Sequence, residues 1–170
     1  MEYKLLLLGL LRNQQMHGYQ LYEFLDNNLG VCVQLKKPTA YKYLSQMSDE
    51  GWISSTLEAV DNRPTRRVYE ITAAGEQAFQ TMLRESLAHY QTAEYPGSIS
   101  LMFLDIMPPQ EALPLLEQRL ATVIRLRQEV DSYPPHHGSV QLMIDHQRHH
   151  LTAEIEWLND VIRYVTNKQV

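Results

Sequence analysis

The sequence predicts a mainly α-helical chain with one small β-hairpin, and three observations carry that expectation. Apolar residues recur at helical spacing through most of the chain. Strand-like residues gather in only two short runs, Ser54 to Val60 and Arg67 to Ile71. Those runs flank a turn-rich stretch, Asp61-Asn62-Arg63-Pro64-Thr65-Arg66. With 170 residues, 44% of them hydrophobic, there is core material for one domain or two small ones. Cys32 is the only cysteine, which excludes an intrachain disulfide and a Cys-rich zinc site and fits a reducing, cytoplasmic setting. The apolar run Leu5 to Leu11 is too short to span a bilayer and runs into Arg12-Asn13-Gln14-Gln15 rather than a small-residue cleavage site.

Tyr3 to Leu11 is rich in leucine and reads as a first, buried helix. Met16-His17-Gly18 reads as a turn, and Tyr19 to Leu29 as a second helix on Leu21, Tyr22, Leu25 and Leu29, with stop signals at Asn28 and Gly30. Val31 to Leu35 alternates like a short strand or extended linker. A third helix follows. Pro38 suits its first turn, because the missing N–H costs nothing there and the fixed φ is already helical. Ala40, Leu44 and Met47 form a stripe to be buried, and they leave Thr39, Lys42, Tyr43 and Gln46 on or near the other side. Asp49-Glu50-Gly51 closes this helix, and the apolar pair Trp52-Ile53 should plug back under it.

Charge is distributed unevenly. The net charge is −5, yet Lys36 to Lys42 holds three basic residues and no acidic one, and so does Arg63 to Arg67. Two basic spots on an acidic body would orient a DNA duplex toward one surface. Lys42, Tyr43 and Gln46 would then project into a major groove while Lys36, Lys37, Thr39 and Tyr41 meet the backbone. Arg63, Arg66 and Arg67 would sit at the hairpin tip over the adjacent minor groove. Three helices followed by a basic hairpin is the order of a winged helix-turn-helix.

Thr39-Ala40-Tyr41, Leu44, Met47 and Glu50-Gly51-Trp52-Ile53 resemble the pattern T-L-Y-x-x-L-x-x-L-x-x-x-G-L-I of PadR-type transcriptional regulators. Arg66-Arg67-Val68-Tyr69-Glu70-Ile71-Thr72-Ala73-Ala74-Gly75 is similar to that family's R-R-x-Y-x-[IL]-T-x-x-G, and His17-Gly18-Tyr19 to its H-G-Y. The motifs cover about the first half of the chain, and their order and spacing together are what is specific. Lys42 stands where many members carry proline, and Ala40 replaces a larger aliphatic residue, a loss of bulk that Tyr43 is placed to make up.

Thr72 can cap a fourth helix, Ala73 to about Ala93, with Phe79, Leu83, Leu87 and Tyr90 as its stripe. Tyr95-Pro96-Gly97-Ser98 breaks it, so the expected division is residues 1–94 for the winged helix with its linking helix and 95–170 for an α-helical C-terminal domain. Gln110 to Val130 and Ser139 to Thr166 are two long periodic helices around the turn Tyr133 to Gly138, expected to fold back antiparallel. Leu113, Leu116 and Leu120 on the first, with Leu151, Ile155, Leu158 and Ile162 on the second, have the spacing of a coiled-coil seam. They read either as the core of a plain hairpin or as a homodimer interface. Ala153 to Leu158 resembles the A-E-x-x-W-L segment of PadR-type regulators, whose C-terminal regions dimerise.

Five of the seven histidines lie between His136 and His150, and no carboxylate joins them in an H-E-x-x-H spacing, so solvated or interface histidines are favoured over a metal site. With no Gly-rich phosphate loop or G-x-S-x-G elbow, no enzyme class and no cofactor is expected. The resemblance implies a sequence-specific DNA-binding regulator of transcription, a repressor acting as a homodimer on a pseudo-palindromic operator. Some relatives respond to small aromatic effectors. The alternative is a winged helix that serves protein contacts alone, for which two basic spots would not be required.

Overall fold

The structure, a computed structural model, describes residues 2–29, 35–58, 66–90, 92, 95 and 97–168. Its contacts divide the chain into two compact units, Met1–Thr92 and Ala93–Val170.

In the N-terminal unit, α1 (Glu2–Leu11), α2 (Gly18–Leu29) and α3 (Lys37–Asp49) precede two strands, β2 (Ile53–Glu58) and β3 (Arg66–Ile71), and α4 (Ala73–Ala88). A further strand, β1 (Met16–His17), replaces the turn that the sequence suggested. It pairs antiparallel with β3, Met16 opposite Tyr69 and His17 opposite Val68, and gives a three-stranded sheet in the order β1-β3-β2. Two residues are too few to show any period, so this strand exists only through its partner. The run Val31 to Gln34 and the hairpin tip, with Arg63, lie outside the described residues.

The core takes Leu7, Leu8 and Leu11 of α1, Leu21 of α2, Ala40, Leu44 and Met47 of α3, Ile53 and Phe79 from the predicted apolar positions, and adds Tyr69 of the hairpin and Met82 of α4. Pro38 falls in the first turn of α3, behind an extended Lys36. At the other end Gly51 takes φ 72°, a left-handed conformation that ends the helix at little steric cost. Thr72 caps α4, its hydroxyl oxygen accepting the Gly75 N–H (3.1 Å) and its O–H donating to the Gly51 carbonyl (2.7 Å), so one residue joins the start of α4 to the corner after α3. The stripe expected along α4 holds only in part. Phe79 is buried and Leu83 half-buried, but α4 ends at Ala88, and Leu87 and Tyr90 are exposed beyond the reach of this unit's core.

The C-terminal unit contains α5 (Ser98–Leu101), a short 3-10 turn (Leu104–Ile106), α6 (Pro109–Asp131) and α7 (Ser139–Asn167). α6 and α7 pack as an antiparallel hairpin, tied across by Arg119 to Glu154 (2.6 Å), Arg127 to the Thr152 hydroxyl (3.2 Å) and Arg148 to Asp131 (3.0 Å). Among the described residues no helix is long and apolar enough to cross a membrane.

Candidate nucleic-acid interface

α3 separates two faces by its spacing. Ala40, Leu44 and Met47 point into the core, which forces the intervening residues outward: Lys36, Lys37, Pro38, Tyr41 and Lys42 are exposed, and Thr39 and Gln46 are half-buried. Among the described residues Lys36, Lys42 and Arg67 form no ion pair, whereas the basic residues Arg119, Arg127 and Arg148 of the C-terminal unit are each matched to a carboxylate. Within the N-terminal unit Lys4 and Arg12 are matched to Glu50 and Glu76, so among the described residues basic charge without a carboxylate partner lies at the start and outer side of α3 and on the hairpin, with Arg84 of α4 apart from them.

Tyr43 behaves differently from its neighbours. Its ring is half-buried against the core and lies 6.0 Å from that of Tyr3, so it supplies bulk beside the small Ala40 and has only an edge left for the outer face. Arg66 is also withdrawn from the hairpin tip. It stands opposite Glu58, donates from its guanidinium to the Tyr19 hydroxyl (2.9 Å) and lies over the Tyr19 ring at 4.9 Å. Tyr19 in turn stacks on His17 at 5.6 Å between ring centroids. Arg67, one residue on, faces solvent.

These groups surround a cavity of about 220 Å³ lined by His17, Gly18, Tyr19, Tyr41, Arg66, Arg67 and Tyr69. Its position brings the start of α2, the outer side of α3 and the base of β3 together. Gly18 makes that approach possible, since a Cβ there would lie 2.9 Å from the Tyr41 ring and 3.2 Å from that of Tyr69. The chemistry of the wall is two guanidinium groups and tyrosine hydroxyls, donors suited to phosphate oxygens.

Residues 7–81 match the transcriptional regulator PadR-like family. The N-terminal unit thus carries a PadR-like domain over residues 7–81. The PadR-like chain is similar to the negative transcriptional regulator PadR of Bacillus subtilis, at 25% identity over 117 residues, 69% of this chain. The match spans 64% of that curated relative's length. Solved structures share the fold: Bacillus subtilis PadR in complex with operator DNA superposes with a TM-score of 0.79 over 97% of this chain and 99% of the other, at 19% identity. The virulence activator AphA of Vibrio cholerae gives 0.75 over 98% and 99%, at 17% identity. A third structure, Bacillus subtilis PadR in complex with p-coumaric acid, gives 0.70 over 96% and 94%, at 20% identity. The family is one of transcriptional regulators, not of enzymes.

In the PadR-like chain the seam residues of the C-terminal unit fall into two groups. Leu116 and Leu158 are buried within the single chain, as the plain-hairpin reading expects. Leu113, Leu120, Leu151, Ile155 and Ile162 are half-buried. The apolar side chains that remain open lie elsewhere, among them Leu115, Leu142, Trp157 and Tyr164. Sequence reading missed the inner ring of His17 and Tyr19 around Arg66. The His17-Gly18-Tyr19 triplet was visible as a motif, but nothing in its spacing tells that β1 carries it to the base of the wing.

Proposed function

We propose that this PadR-like chain represses transcription in the cytoplasm as a homodimer on a pseudo-palindromic operator, and that a small aromatic effector releases it. The observation that carries DNA binding is the outer face of α3, where Lys36, Lys37, Tyr41 and Lys42 are exposed together opposite a fully buried stripe. Lys42 and Gln46 address base edges in this reading, Thr39 and Tyr41 join the lysines at phosphates, and Arg67, with Arg63, follows the neighbouring backbone. Arg66 and Tyr43 serve mainly to hold the reading surface in place.

Two chains would set their winged helices about one turn of DNA apart, roughly 34 Å. The half-buried seam residues Leu113, Leu120, Leu151, Ile155 and Ile162, together with open Trp157 and Tyr164, supply apolar surface for pairing. Repression is favoured by the similarity to a negative regulator. For an effector, the C-terminal unit offers a cavity of about 380 Å³ walled by Leu101, Leu104, Trp157, Val161 and Tyr164 with Asp105 and Asp160.

The test begins with genomic fragments enriched on the purified protein, then measures their binding by gel shift at two salt concentrations for wild type and Lys42→Ala. Wild type should bind and weaken with salt, and Lys42→Ala should bind less tightly with an unchanged melting temperature. No enrichment, or full affinity in the variant, would refute the assignment and leave the protein-contact reading standing.

A further inference from the structure

We propose that His146 and His150 form a two-nitrogen chelate for a single Ni²⁺ or Cu²⁺ ion on the outer face of α7. The two histidines are four residues apart on a continuous helix, so their side chains are neighbours on one face. Their Nε2 atoms lie 3.0 Å apart and their rings meet edge-on with centroids 4.4 Å apart. Without an ion one imidazole donates its N–H to the lone pair of the other, which keeps both rings in this arrangement.

That separation is close to the bite a single ion requires. A metal–imidazole bond is about 2.05 Å, so two nitrogens at right angles around one ion stand about 2.9 Å apart, and at a tetrahedral angle about 3.3 Å. The observed 3.0 Å is within reach of either bite, and Ni²⁺ and Cu²⁺ are put first by the affinity of imidazole nitrogen for these ions. Coordination asks each ring to turn until its lone pair points at the ion, and the donor ring to move its proton from Nε2 to Nδ1 through solvent, so that two neutral imidazoles bind with no net proton release. Both side chains are exposed, so water can fill the remaining positions.

His149 lies between the two in sequence, but the ring contact joins His146 to His150, and the His149 Nδ1 turns instead to the Asp145 carbonyl at 2.7 Å. His136 and His137 precede α7 and are separate from the pair along the chain. Sequence spacing alone disfavoured a metal here because no carboxylate joins the histidines in an H-E-x-x-H spacing. The i, i+4 spacing puts the two rings on one helix face, and the structure adds that their Nε2 atoms meet there.

The test is isothermal titration of Ni²⁺, then Cu²⁺, into the untagged full-length protein. Wild type should take up one ion per chain at this site, and His146→Ala and His150→Ala should each weaken it by at least about tenfold, since a chelate loses its second, intramolecular bond. His149→Ala and the double variant His136→Ala with His137→Ala should stay within about twofold of wild type. Alanine is a strong helix former, so far-UV circular dichroism should show α7 intact in every variant. Binding that survives His146→Ala or His150→Ala, or that falls equally with His149→Ala, would mean a diffuse attraction to histidines and would overturn the proposal. Tighter binding of Zn²⁺ than of Ni²⁺ would overturn the choice of ion.

Discussion

Arg66 and Arg67 are adjacent in sequence, yet Arg66 is held on Tyr19 while Arg67 faces solvent, and the opposite tasks proposed for them are measurable. Arg67 is exposed and makes no ion pair among the described residues, so one released phosphate counterion is its whole expected contribution to DNA affinity. Removing it should flatten the slope of log K against log salt by about 0.9 per chain, or about 1.8 for a dimer. From 50 to 200 mM salt the ratio of wild-type to Arg67→Ala affinity should therefore shrink by about twelvefold. Its melting temperature should not move. Arg66, in contrast, spends its guanidinium on the Tyr19 hydroxyl and ring. Arg66→Ala should cost about 1 kcal/mol from the lost hydrogen bond and cation–π contact. In a unit of about 90 residues that lowers the melting temperature by about 5 °C. Fluorescence anisotropy with a random duplex across a salt series, run beside thermal melts, reads both quantities and requires no knowledge of the operator. An unchanged slope in Arg67→Ala would remove the wing from the DNA interface. A stable Arg66→Ala with a flattened slope would show that Tyr19 does not hold it.

Four other outcomes follow from the packing. Gly75→Ala should lower stability by about 2–3 kcal/mol in chemical denaturation, because its Cβ would overlap the Trp52 backbone carbonyl oxygen, which is fixed by Thr72 and cannot give way. The Arg12 guanidinium, 2.6 Å from Glu76, holds that carboxyl below the usual carboxylate range, helped by Gln80. A carboxylate with a depressed folded value contributes stability at neutral pH and loses it as pH falls through that value, so Arg12→Met should remove part of the acid sensitivity seen in melts between neutral pH and pH 3. Finally, Leu158→Ala should destabilise the C-terminal hairpin by about 3 kcal/mol, since Leu158 is fully buried within one chain. Trp157→Glu, at a position 53% exposed, should shift light scattering from dimer toward monomer while the helical content stays constant.

The sequence by itself determined the helices, because their evidence is local: apolar spacing, Pro38 at a start, Thr72 as a cap and Gly51 at an end all act within a few residues of where they stand. It also located the basic face of α3, since burying Ala40, Leu44 and Met47 leaves the lysines no other direction. Only the tertiary structure decided which members of a stripe are used. Tyr43 lies beside the reading face by spacing but leans on Tyr3, and Leu87 continues a stripe whose partner surface has already ended. β1 and the Arg66–Tyr19–His17 cluster likewise depend on partners about 50 residues away, which no periodicity encodes. The seam of α6 and α7 shows the same limit: heptad spacing requires an apolar partner helix but does not name it, and for Leu116 and Leu158 the partner is the other arm of the same hairpin.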